Sequence, residues 1–382
     1  MTLSKMPALT LAGAALTVCL AGCSIFSGAQ NPTPSATDSP SNAGPSVPTQ
    51  TPTSTATSTP TPTPTAAPTP TKTPTKTPTK TTAPTPRIVK LVTLVAGIAE
   101  PKDWTPTGLT WKGIQAAAAQ TGAKTSLLEP VSNASIPGDL DLAARAANAV
   151  VVTVGPAAYA AVLVAARAHP KTQFLEVDVY VPEGSPANVH GLIFDEAEAG
   201  YLGGYVAASF ASKGMIGMVG DTKTDTSSAN YAAGFQSGAS EASAGAAVSV
   251  AYAGTPDSPD NGRTAATGLV DAGDTVIMAV PSLSGIGAMR EACAEKARVV
   301  ALGTDAWQTV PDIQPCLIVS VMKRYDVAVT AAIVAISSGK KLTRTTMNGV
   351  ANGGIALSDF HVNLPAGFRD ELDALLATLR TP

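Results

Sequence analysis

From Arg87 onward, short apolar runs alternate with segments of helical period, and this alternation constrains the fold more than any other feature of the chain. RIVKLVTLVAGI, AVVVTVG, TQFLEVDVYV, VHGLIF, MIGMVGD, AVSVAYAG, TVIMAV, RVVALGTD and CLIVSVMK each hold a short apolar run and are expected to form strands, many buried on both faces. Between them stand segments such as TWKGIQAAAAQTG, where Trp111, Ile114 and Ala118 share a helical face. With GGIAL near the C-terminus, about ten strands are expected. Alternation of this kind builds parallel sheets covered by helices on both sides. The 296 residues from Arg87 to Pro382 are many for one core and suit two. The expected fold class is therefore α/β, with two parallel sheets.

The first 86 residues are of another kind. Lys5 precedes a short apolar run, Ala8 to Leu20, that is too short to span a bilayer comfortably. Leu20-Ala21-Gly22-Cys23 follows and resembles a bacterial lipobox. Residues 1–22 are thus expected to be a lipoprotein signal peptide, with Cys23 as the lipidated residue; an ordinary secretory signal or a short anchor helix is the alternative. Residues 23–86 are nearly all Thr, Pro, Ser and Ala, with almost no side chain able to build a core. Such a stretch is expected to stay disordered with polyproline-II character. At about 3.1 Å per residue its contour approaches roughly 200 Å, enough to hold a folded part away from a membrane.

Charge and rare residues exclude several classes of function. Lys5, Lys72, Lys76, Lys80 and Asp38 all precede Arg87, so the folded part carries a net charge of about −6 against −3 for the whole chain. That balance argues against nucleic acid as a partner. His169, His190 and His361 are scattered, with no metal-ligand spacing, and no cofactor is implied. Cys19 leaves with the signal and Cys23 takes the lipid. Cys293 and Cys316 remain for pairing in an oxidising compartment, or as two buried thiols. There is no GxSxG elbow and no His–acid pair at a recognisable spacing.

In open α/β sheets, ligands lie beyond the carboxyl ends of the strands. Asp103, Gly155, Asp178, Asp195, Asp221, Ser282, Asp305 and Lys323 all fall at such ends. Each also has a bland role. Asp305 suits a helix cap, as does Ser284 beside Ser282; Asp103 suits an ordinary loop, Gly155 a turn, Asp195 a hinge, Asp178 a structural contact, and Lys323 a solvated surface.

Several segments in order are similar to one family. FDEAEAGYLGGYVAASF, KGMIGMVGD, YAAGFQSGA, DTVIMAVPSLSGIGAMREA, VVALGTDAWQ and CLIVSVMKRYDVAVTAAI resemble the basic membrane protein family, the PnrA-like substrate-binding lipoproteins of ABC transporters. The resemblance runs from about Ile88 to Leu357. It implies a type I periplasmic-binding-protein fold, with two Rossmann-like lobes joined by a three-strand hinge. The crossings are implied near Phe194–Asp195, near Lys323 and around Lys341–Met347. The N-lobe is then 87–194 with 324–345, and the C-lobe 195–323 with 346–382.

The resemblance also implies roles. Asp305, in GTDAWQ, matches an acid that accepts from ribose hydroxyls. Lys323, in SVMK, matches a hinge cation that donates to the ligand. Asp103 stands for the acid of an opening motif, but Pro106 and Thr107 occupy the places of its Phe and Asn. Trp307 replaces the second acid of the other signature. Trp104 and Trp307 are the candidate replacement aromatic faces, and Gly155, Asp195 and Ser282 complete the expected ligand contacts.

The function so implied is capture of a small polar solute, a purine-type nucleoside favoured, and its delivery to a membrane permease. The protein is then not an enzyme, and is lipid-anchored on the outer face of the cell membrane. A receptor signalling to a membrane kinase and a nucleoside-hydrolase-type enzyme are the competing expectations.

Overall fold

The computed structural model describes residues 89–97, 104–211 and 214–381. The expected signal peptide, the expected lipidation site Cys23, the expected stalk and Asp103 lie outside the described residues. In chain order the elements are β1 (Leu91–Val95), α1 (Pro106–Thr121), β2 (Lys124–Leu128), α2 (Ile136–Ala144), β3 (Ala149–Val154), α3 (Tyr159–Ala168), β4 (Gln173–Val177) and β5 (Val189–Phe194). There follow α4 (Glu196–Phe210), β6 (Met215–Gly220), α5 (Thr226–Ala242), β7 (Ala247–Tyr252), α6 (Pro259–Asp271), β8 (Val276–Ala279), α7 (Leu283–Ala294) and β9 (Arg298–Gly303). The last are α8 (Ala306–Thr309), β10 (Leu317–Lys323), α9 (Tyr325–Ser337), β11 (Thr345–Asn348), β12 (Ile355–Leu357) and α10 (Phe368–Leu379).

The strands form two six-stranded sheets, ordered β11-β5-β4-β3-β1-β2 and β12-β10-β9-β8-β6-β7. The first is parallel throughout; in the second, β12 alone runs antiparallel, against β10. The apolar runs explain the centres of both sheets. Leu94, Val152, Leu175, Val276, Val299 and Val319 have 0% exposure, as strands covered on both faces require.

Three connections pass between the sheets. Phe194 ends β5 and leads into α4, which packs against β8, β9 and β10 of the second sheet. Lys323 ends β10 and leads into α9, which packs against α1 beside the first. Asn348 ends β11 and leads on to β12. Because Thr345–Asn348 pairs with Gly191–Phe194, the last passage lies after Asn348 rather than at the expected 345/346 boundary.

Local chemistry fixes the elements that frame the interior. Thr105 caps α1, its Oγ1 accepting from the Gly108 N–H at 3.1 Å; Pro106 opens the helix, and left-handed Gly122 ends it. Helices α4 and α5 approach very closely. A Cβ at Gly204 would run into the Phe235 carbonyl, and one at Gly238 into that of Tyr201. The expected pairing of Cys293 and Cys316 is present, with the Cα atoms 5.6 Å apart, and it ties the end of α7 to the entry of β10.

Candidate functional site

A cleft of about 470 Å³ opens where strands of both sheets end. From the side of the first sheet come Thr105, Pro106, Asp178 and Tyr325; from the second come Ser282 and Leu283 after β8, and Gly303 and Thr304 after β9. This is the position at which open α/β sheets receive ligands.

Asp178 dominates its polar side. It follows β4 in a left-handed conformation with φ of 60°, a region that Asp enters more readily than most residues. Lys323 Nζ donates to both of its carboxylate oxygens, at 3.0 and 3.1 Å, and the Tyr325 hydroxyl donates to Oδ2 at 3.2 Å. Glu196 Oε1 lies 3.6 Å from the same ammonium. Burial alone disfavours a charged Lys323. The surrounding oxygens of Tyr231, Tyr325, Asp178 and Glu196 outweigh that and hold its pKa well above the usual lysine range. Burial likewise pushes Tyr231 up to about 12. The cluster therefore holds lysine as a cation beside Asp178 and Glu196, with Tyr325 as a neutral donor to Asp178 and the Tyr231 hydroxyl buried without a hydrogen-bond partner.

Ser282 is anchored within the cleft wall. Its Oγ accepts from the Gly285 N–H at 2.9 Å, capping α7, and donates to Asp221 Oδ1 at 2.6 Å. Burial raises the Asp221 pKa, and the Ser282 bond opposes that rise. Farther in, the second-sheet side is apolar, with Ile286, Met289, Leu302 and Val310.

Among the described residues expected to touch a ligand, Ser282 is the one that lines this cleft. Asp305 stands between two lining residues, Thr304 and Ala306, but its Oδ1 accepts from the Trp307 N–H at 3.1 Å. It thus has the capping role. Lys323 is 5% exposed and reaches the cleft only through Asp178. Trp307 stacks on His361, with centroids 3.7 Å apart and planes at 16°, and is not among the residues that line the cleft. Trp104 is 41% exposed, outside the lining, with the Lys112 ammonium 4.3 Å from its ring centre. Gly155 has φ of 75° and donates its N–H to Val177 O at 2.9 Å, as a turn glycine does. Asp195 caps α4, accepting from the Glu198 N–H at 2.9 Å, and lines a separate groove with Tyr201 and Gly234. Sequence reasoning gave Asp178 a structural role, and missed Tyr325 and Thr105. The available signal for Asp178 was its place directly after the strand FLEV, at its carboxyl end.

The comparisons with known proteins agree with this architecture. Residues 88–377 match the family described as ABC transporter substrate-binding protein PnrA-like. Basic membrane protein A2 of Borrelia garinii subsp. bavariensis is 32% identical over 125 residues, which cover 32% of this chain and 37% of that protein. Basic membrane protein A of Borreliella burgdorferi is 26% identical over 206 residues, 54% of this chain and 60% of that one. The chain thus spans 37% to 60% of the length of these relatives. Among solved structures, an ABC transporter solute-binding protein from Aeropyrum pernix K1 is 25% identical with a TM-score of 0.55, over 76% of this chain and 82% of that one. A second, from Conexibacter woesei DSM 14684, is 22% identical with a TM-score of 0.61, over 76% and 96%. The fold is that of type I periplasmic solute-binding proteins, two α/β lobes joined by three crossings, and the chain belongs to the PnrA-like family of ABC transporter substrate-binding proteins.

Proposed function

We propose that this protein is the extracytoplasmic receptor of an ABC transporter that captures a nucleoside, the purine type favoured, and delivers it to a membrane permease. It is anchored through a lipid on Cys23 and held off the membrane by the Thr/Pro-rich stretch. The two lobes are 87–194 with 324–348, and 195–323 with 349–382.

The observation that carries this reading is the cleft itself. It lies between the strand ends of two sheets, and its volume of about 470 Å³ falls in the range of roughly 300–1,000 Å³ usual for small-molecule sites. Asp178 and Ser282 offer polar contacts on opposite sides, so a solute touching both favours the closed arrangement of the lobes.

The test is a thermal-shift screen of the intact chain against nucleosides, free bases, sugars and amino acids. A nucleoside at a hundred times its Kd should stabilise the protein by about 2.7 kcal/mol through mass action. The nucleoside should be recovered chemically unchanged by chromatography. A melting point moved only by sugars or amino acids removes the nucleoside assignment, and accumulation of free base removes the receptor in favour of an enzyme.

A further inference from the structure

The two sides of the cleft differ in kind, and one residue on the apolar side is out of keeping with its neighbours. Met289 and Leu302 are 3% and 4% exposed, so their surface is already committed to the core. Leu283, on the same lining, is 52% exposed. It stands at the first position of α7, where the backbone is held on both sides. Ser282 bonds Gly285 and Asp221, and the Ser284 hydroxyl donates to Ser258 O at 3.0 Å. The backbone that carries Leu283 is thus held in place, which presents an open apolar side chain in a ligand-sized cleft; a carrier positioned in advance lowers the cost of binding.

Pro281 is also exposed on this lining, and Pro106 and Ile286 are partly so, but Leu283 is its one large hydrophobic side chain left mostly open. The lining's aromatic residue among the described ones, Tyr325, is 3% exposed, meets Phe194 edge-on at 4.9 Å, and uses its hydroxyl on Asp178. Across the cleft the Asp178 charge is already met by Lys323, so that carboxylate suits neutral hydrogen-bond donors rather than a cation.

We propose that Leu283 is the residue by which this cleft selects an amphipathic, uncharged solute: it covers the face of a heterocycle whose attached hydroxyls bond to Asp178. Free sugars, hydrophilic on every side, are discriminated against at this position. The proposal deepens the receptor reading above and rests on it.

The experiment is isothermal titration of the intact chain, as wild type, Leu283→Ala and Leu283→Ser, with inosine, uridine and ribose. Burial of the remaining half of one leucine corresponds to roughly a tenfold change in affinity. Nucleoside binding should therefore weaken by about tenfold in Leu283→Ser and by less in Leu283→Ala. Weak ribose binding should be unchanged. Leu283 is half exposed, so the melting points without ligand should agree within about 2 °C. Equal nucleoside affinity in wild type and Leu283→Ser overturns the role of Leu283 and leaves the receptor reading standing. Ribose bound as tightly as a nucleoside by the wild type also overturns it. No nucleoside binding by the wild type removes the nucleoside reading itself.

Discussion

Replacing Glu176 by glutamine should change how the stability of the protein depends on pH. Glu176 lies on β4 with 0% exposure. Its Oε1 accepts from Thr153 Oγ1 at 2.6 Å, while Oε2 has no hydrogen-bond partner. Burial pushes its carboxyl from the ordinary 4.5 up to about 7, against the opposing effect of the Thr153 bond. The folded state therefore holds this proton more tightly than the unfolded chain does. The contribution is fully present below about pH 4.5, declines as pH rises towards 7, and stays lost above that. At about 1.4 kcal/mol per pH unit, the interval amounts to roughly 3 kcal/mol. Glu176→Gln keeps the acceptor for Thr153 and cannot ionise. Its amide N–H replaces the partnerless oxygen, a pH-independent cost of about 1–3 kcal/mol. The variant should thus be less stable than wild type near pH 5, and equal or more stable near pH 8. Urea unfolding at about pH 5, 6, 7 and 8 reads the difference directly. Profiles that run parallel across this window would show that Glu176 does not titrate there, and the argument from its burial would fail.

Two further perturbations address the supports of the site. Lys323→Met leaves Asp178 and Glu196 facing each other without their shared cation, and should cost about 3–5 kcal/mol in urea unfolding; a loss below about 1 kcal/mol would mean that the cluster does not rely on the charge. Replacing Cys293 and Cys316 together by serine opens a loop whose ends are 23 residues apart, and should cost about 3 kcal/mol; an unchanged midpoint in denaturant would rule out that contribution.

What could be read from the sequence follows the burial of each element. β3, β8 and β9 carry unbroken apolar runs because both faces are covered, and such runs are visible without any partner. β2 (KTSLL) and β11 (TTMN) are outer strands with polar side chains, and went unrecognised as strands. The place of β11 is fixed by distant groups. Thr345 Oγ1 donates to Val181 O at 3.0 Å, and Asn348 Nδ2 donates to Ile193 O at 2.9 Å. The site divides in the same way. That polar residues gather at strand ends was legible; which of them faces the cleft depended on pairings remote in sequence. Lys323 meets Asp178 across a separation of 145 residues, and Trp307 is occupied by His361. Asp305, between two lining residues, caps the start of α8 through the Trp307 N–H, a pairing local in sequence.

The Lys323 cluster also sets a condition on any solute that closes the lobes. Lys323 ends a strand of the second sheet, Asp178 follows a strand of the first, and Glu196 opens the helix just past the first crossing. Through Lys323 and Glu196 the cluster thus sits at two of the three connections, and its third member, Asp178, lines the cleft. A donor that binds Asp178 shares an acceptor already used by Lys323 and Tyr325, so its net gain is that of an added hydrogen bond to a charged group, about 1.5–3 kcal/mol. Driving a two-state closure from 1:99 to 99:1 needs about 5.5 kcal/mol of differential binding. The acid side alone falls short of that. Covering a half-exposed leucine adds on the order of 1 kcal/mol, and the remaining apolar lining adds more only if the solute has a face to lay against it. A molecule that is hydrophilic throughout, or apolar throughout, reaches one side and leaves such a closure incomplete. On the proposed closure mechanism, a full shift calls for both kinds of surface in one small molecule.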